Sequence, residues 1–206
     1  MLYIEDYGIC VPKVLKDMNY TIPKIALYKD DHMEIKQVYN EVVLYLDNDR
    51  NMGYKLDHSV ALEFISHYDL AYGHVILTGL GLGLIATWLS NKQEVTKITV
   101  LENNIHLINY FKTYGDLPNK VEVVYTNAET YTGKCEVLLC NHWIGSSTYQ
   151  QKFIDWPHML DNIECNIFYI FRIPKIVKTY ENYLKTRIKI PQLPYLTKEK
   201  FVSYNA

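Results

Sequence analysis

His74-Val-Ile-Leu-Thr-Gly-Leu-Gly-Leu-Gly-Leu-Ile-Ala-Thr-Trp-Leu-Ser90 decides how the rest of the chain is read. A short apolar run comes first, then glycines at alternate positions (Gly79, Gly81, Gly83), then an apolar stretch of helical character. That order is strand, tight turn, helix. Residues without a Cβ turn sharply and leave room for a backbone to pass close to a nucleotide-like ligand. Ile98-Thr-Val-Leu-Glu102 then reads as a second strand ending on a carboxylate, nineteen residues after Gly83. An acid at that distance accepts hydrogen bonds from a ribose.

Outward from this unit the pattern alternates. The strand at 74–78 is followed by a helix at 83–91, a strand at 97–102 and a helix over 104–114. Val121–Tyr125 and Glu136–Cys140 read as strands, followed by a helix over 148–160 with Thr148 and Gln151 spaced as a capping box. Cys165–Phe171 is a fifth strand, and Pro174 opens a helix to 186. Strands alternating with helices predict an α/β fold with a doubly wound, mostly parallel sheet and right-handed crossovers. Upstream, residues 1–56 read as a β-rich extension. In it Val42–Leu46 and Met52–Leu56 flank the polar turn Asp47–Arg50 as a β-hairpin. Asp57-His-Ser59 offers caps for a helix that leads into the glycine-turn strand. The expected division is thus 1–56 for the extension and 57–206 for the ligand-binding domain.

Composition narrows the class. At 206 residues, 49% hydrophobic and with a net charge of −2, the chain reads as a globular protein of ordinary domain size. It lacks any run of eighteen apolar residues, so no membrane helix is expected, and Met1–Asp6 does not resemble a secretory signal. Cys10, Cys135, Cys140 and Cys165 form no Cys-x-x-Cys pair and no zinc-ligand spacing. The seven histidines form no metal-ligand pattern either. A reduced, cytoplasmic setting without a metal centre is expected. Charge is uneven: from Arg172 onward there are eight Lys or Arg against two Glu, a local excess of +6 that leaves −8 on the rest. That basic segment suits contact with a nucleic acid or another anion, with a solvated helix face as the plainer reading. Exposed strands in the extension suit pairing across a homodimer.

Taken together, the region from about Leu56 to Thr186 resembles the Rossmann-like class I S-adenosylmethionine-dependent methyltransferases. Thr78-Gly79-Leu-Gly81-Leu-Gly83 resembles the motif whose backbone lies under the amino-acid part of the cofactor. Glu102 resembles the acid that binds both ribose hydroxyls, and Asn127-Ala128-Glu129 the turn that holds the adenine amino group. Asn141-His142-Trp143 sits where the family places groups facing the reacting methyl. The resemblance implies S-adenosylmethionine as cofactor, Asn141 and His142 as catalytic residues, and Trp143 against the acceptor. The hairpin followed by a helix is also similar to the N-terminal part of spermidine synthases, and small phage-encoded Rossmann-like proteins share the Gly-Leu-Gly-Leu-Gly turn.

Departures from the pattern keep alternatives open. Thr78 stands where methyltransferases usually have an acid, and Asn127 replaces the usual Asp, keeping an acceptor oxygen without the charge. Spermidine synthases carry acids where this chain has Leu82 and Cys140-Asn141, so amine deprotonation loses its support. A dinucleotide fingerprint would need glycine at Leu84. Methyl transfer to an unidentified acceptor is the first reading. Aminopropyl transfer and a catalytically inactive binding module are the alternatives.

Overall fold

The computed structural model describes residues 25–38, 41–47, 68–140, 159 and 161–170. Two sheets organise them. The smaller is antiparallel, in the order β1-β2-β3, with β1 Tyr28–Lys29, β2 Met33–Val38 and β3 Glu41–Leu46. The larger is formed by β4 Gly73–Thr78, β5 Val95–Glu102, β6 Val121–Tyr125, β7 Gly133–Cys140 and β8 Ile163–Ile170. Its order is β6-β5-β4-β7-β8, and every neighbouring pair is parallel. The helices are α1 Leu84–Ser90, between β4 and β5, and α2 Ile105–Tyr114, between β5 and β6. This is the α/β Rossmann-like architecture expected from the sequence.

Burial on both faces explains why the central strands β4, β5 and β7 read as near-continuous apolar runs over Val75–Thr78, Ile98–Glu102 and Val137–Cys140. Val75, Leu77, Ile98, Val100, Val137 and Leu139 face α1 and α2 in one core, which also takes in Ile25, Met33, Ile35, Val42 and Leu44 of the small sheet region. Ile76, Leu101, Leu138 and Cys140 face the other way, where Met159, Ile163 and Phe168 complete a second cluster. All seven residues of α1 are buried, so this helix is held by packing rather than by propensity.

The small sheet docks on α2 through an aromatic stripe. His106, Tyr110 and Tyr114 stand four residues apart and share one helix face. His32 stacks on His106 with ring centroids 4.0 Å apart, and Tyr28 meets Tyr110 at 5.3 Å and Tyr114 at 5.6 Å. Tyr110 also binds the incoming chain: its hydroxyl donates to the Ala26 carbonyl and accepts from the Ala26 N–H, each at 2.8 Å. Ala26 is fully buried. Tyr110→Phe therefore strands a buried donor and a buried acceptor, and should lower stability by about 1–3 kcal/mol. Urea denaturation followed by circular dichroism measures this; an unchanged midpoint would refute it.

The hairpin expected between 42–46 and 52–56 lies partly outside the described residues. Val42–Leu46 lies within β3 and pairs with β2, in the register Met33↔Leu46 to Val38↔Glu41. Residues 52–56, its expected partner, lie outside the described residues, as do the helix expected over 174–186 and all but residue 159 of the helix expected over 148–160. Residues 68–70 are helical, in keeping with the helix expected before β4.

At the N-terminal end of the large sheet, His74 Nε2 lies 2.9 Å from Thr99 Oγ1. Burial, then the charge of Lys97, pushes the His74 pKa below its ordinary 6.5. The unfolded chain therefore binds the proton first as pH falls, so the folded state loses stability once pH drops below about 6.5. His74→Gln should flatten that decline between about pH 7 and pH 5, within the range where histidine changes charge. Denaturation midpoints at the two pH values give the comparison; equal slopes in both proteins would assign the decline elsewhere.

Candidate nucleoside-binding site

The chain runs β4, β5, β6 toward one edge of the sheet, then crosses back to place β7 on the other side of β4. This makes the β4–β7 boundary the switch in strand order. In open parallel sheets ligands bind there, beyond the carboxyl ends of the strands. The turns after β4, β5 and β6 carry residues 79–83, 103–104 and 126–129, and all three leave the same end of the sheet.

The glycine turn has the backbone its sequence requires. Gly79, Gly81 and Gly83 have φ of 81°, 53° and 72°, a left-handed region that costs other residues about 1–2 kcal/mol. Gly79 N–H donates to the Leu101 carbonyl at 2.8 Å, which fastens the start of the turn to β5. Gly83 N–H donates to the Leu80 carbonyl at 2.9 Å, and the Gly83 carbonyl accepts from Thr87 N–H at 2.9 Å to begin α1. Leu82 packs into the core.

Glu102 is the centre of the arrangement. It ends β5 and is only 7% exposed. One carboxylate oxygen, Oε2, accepts the Leu80 N–H of the glycine turn at 2.8 Å. The other, Oε1, accepts the Asn104 N–H at 2.7 Å. An ionised carboxylate has about four acceptor positions, so two bonds leave capacity for two more. Its main-chain carbonyl accepts Thr126 N–H at 3.0 Å, joining the third turn to the same residue. A buried carboxylate beside a glycine turn, with acceptor capacity in hand, suits a vicinal diol such as that of a ribose. The acceptor arrangement thus fits a nucleoside-type cofactor.

The remaining candidates occupy different settings. Thr78 is fully buried at the end of β4, opposite Cys140 of β7, and hydrogen-bonds its thiol. Asn127 is exposed, Ala128 is buried and Glu129 is half-buried. The Asn127 carbonyl accepts Thr130 N–H at 3.2 Å, closing that turn, and the Glu129 carbonyl accepts from Asn162 Nδ2 at 2.8 Å. Asn141, His142 and Trp143 lie outside the described residues. Burial pushes the Cys135 thiol to about 12 and Cys165 to about 11, which makes poor nucleophiles of both. Among the described residues no three His, Cys, Asp or Glu converge to hold a metal ion, and no helix is long and apolar enough to cross a membrane.

Sequence reading missed two contributors, Leu80 and Asn104. Leu80 acts through its backbone N–H, which no side-chain pattern reveals. Asn104 had a legible signal, since Asn directly before an apolar-periodic segment is a helix N-cap.

No protein-family model matches this chain, and no curated protein matches it in sequence. Three solved structures are similar to it. A candidate RNA methyltransferase from Pyrococcus horikoshii shares 14% identity over 62% of this chain and 65% of its own, with a TM-score of 0.46. DhpI in complex with SAH shares 16% over 51% and 52%, with a TM-score of 0.41. Spermidine synthase from Thermotoga maritima shares 16% over 77% and 61%, with a TM-score of 0.45. Each match spans less than two thirds of the neighbour's length. The likeness is one of general architecture, and the site stands on its own geometry.

Proposed function

We propose that this chain is a methyltransferase using S-adenosylmethionine and that the cofactor occupies the edge formed by the glycine turn and Glu102. The observation that carries the reading is the Glu102 carboxylate, buried and fixed by Leu80 N–H and Asn104 N–H while keeping acceptor capacity for a ribose diol. Bound there, the sulfonium supplies a methyl group already activated for transfer to a nucleophile. What the protein must add is chiefly alignment of that nucleophile.

In this reading the left-handed backbone at Gly79, Gly81 and Gly83 lets the turn lie close under the ligand. Asn127, exposed within the third turn, offers an amide that both accepts and donates toward the base. Asn141 and His142 are assigned to the acceptor. His142 takes the proton where the acceptor is a weak nucleophile, and Trp143 packs against a planar or cationic acceptor. The basic segment after Arg172 makes a nucleic acid one acceptor to screen. Aminopropyl transfer is disfavoured, because Leu82 is buried in the turn at the position where that chemistry would use an acid.

Calorimetric titration with S-adenosylmethionine and S-adenosylhomocysteine, with NAD as a control, tests the proposal. Micromolar binding of both sulfur ligands and none of NAD is expected. Absence of heat with both, in a protein that is folded by circular dichroism, would leave the turn as scaffold and favour an inactive module.

A further inference from the structure

We infer that Asn104 is a positioning residue for the site and acts through Glu102; this rests on the nucleoside reading above. Asn104 makes two bonds in two directions. Its side-chain Oδ1 accepts the Leu107 N–H at 3.0 Å, which caps α2 with an extended backbone at φ −95° and ψ 107°. Its own N–H donates to Glu102 Oε1 at 2.7 Å. The side-chain bond fixes the residue relative to the helix, and so fixes the direction in which its N–H points.

That direction matters because a carboxylate turns about its last bond unless both oxygens are held. Leu80 N–H holds Oε2 and Asn104 N–H holds Oε1, so the two donors together set the plane of the group. A ribose presents two adjacent hydroxyls and needs two acceptor directions at once. Without the Oε1 anchor the plane swivels, and one hydroxyl loses its partner while the other is retained. Asn104 therefore governs discrimination between a diol and a single hydroxyl, beyond any effect on helix stability.

Adenosine and 2′-deoxyadenosine are the probes, because they differ by one of the two hydroxyls. One hydrogen bond to a charged group is worth a factor of about ten or more, so the native protein should prefer adenosine by at least that factor. In Asn104→Ala the preference should fall to below about threefold. Asn104→Asp should restore it, since Asp caps a helix as well as Asn. His74→Gln, at the opposite end of β4, should leave it unchanged. Retention of the full preference in Asn104→Ala, even with a lowered melting temperature, would overturn the proposal.

Hydrogen exchange supplies a readout that needs no ligand. The amide of residue 104 should be protected in the native protein and in Asn104→Asp, and exposed in Asn104→Ala. Should the native protein bind neither probe, the nucleoside reading fails on its own. Equal protection of residue 104 in all three proteins would remove the positioning role independently of any ligand.

Discussion

Glu102→Ala is expected to weaken S-adenosylmethionine binding about a hundredfold and to destabilise the fold as well. A hydrogen bond to a charged acceptor contributes about 1.5–3 kcal/mol, and every 1.4 kcal/mol is a factor of ten in affinity. Losing an acceptor that serves two ribose hydroxyls therefore reaches two orders of magnitude with ordinary bonds. The structural cost has a separate origin. Leu80 N–H and Asn104 N–H both end on this carboxylate, and the buried Leu80 donor left without a partner costs about 1–3 kcal/mol. Glu102→Gln should not rescue either property. Its amide carries one acceptor and one NH2 group, so one of the two backbone donors would meet another donor. Calorimetry and urea denaturation of the same preparations separate the effects; full affinity in a folded Glu102→Ala protein would remove the residue from ligand binding.

Gly83→Val should abolish or severely impair folding. At φ 72° the residue sits in the left-handed region while serving as N-cap of α1. A β-branched side chain is a marked outlier there. Even a bare Cβ would stand 3.1 Å from Phe111 Cε1 and 3.2 Å from Leu117 Cδ2. The backbone penalty of about 1–2 kcal/mol adds to an overpacking cost of about 1–3 kcal/mol, before the valine methyls are counted. A loss of about 4 kcal/mol is a large share of the 5–15 kcal/mol that holds a domain folded. Gly83→Ala, with one methyl, should fold with a loss of about 2 kcal/mol. Soluble yield and thermal melts distinguish them; a native-like melt for the valine variant would contradict the turn geometry.

The centre of the large sheet was legible because Val75–Thr78, Ile98–Glu102 and Val137–Cys140 are buried and read as largely apolar runs. The expected helix over 104–114 corresponds to Ile105–Tyr114, and that over 83–91 to Leu84–Ser90. Strand starts were read too late. β5 begins at Val95 and β7 at Gly133, two and three residues before the sequence suggested. Exposed polar residues, Thr96 and Lys134, interrupt the apolar pattern at those starts. Lys97 pairs there with Glu122 at 2.7 Å and Lys134 with Glu164 at 2.6 Å, each across neighbouring strands. A cross-strand ion pair belongs to a strand yet looks like a loop in one dimension.

The β2–β3 pairing escaped for a related reason. Asp47–Arg50 is the more conspicuous polar cluster, while the two-residue connection Tyr39-Asn40 contains no glycine to announce it. Within the site, Glu102 was visible as a carboxylate ending a strand at the right distance from the glycines. Its two backbone donors were not, since they depend on how separate turns meet in space. The stripe His106, Tyr110, Tyr114 had its spacing written in the sequence, but only the small sheet gives it a purpose.

The doubly held carboxylate has a consequence for how a ligand would arrive. Because Glu102 is already tied to both neighbouring turns, an incoming diol adds partners to it without displacing any. At this carboxylate no new backbone bond has to form, so little conformational entropy is lost in presenting it to the ligand. Free and bound forms should share one backbone in these turns, with association limited by encounter and orientation rather than by rearrangement. Folding itself sets the direction of the Glu102 oxygens.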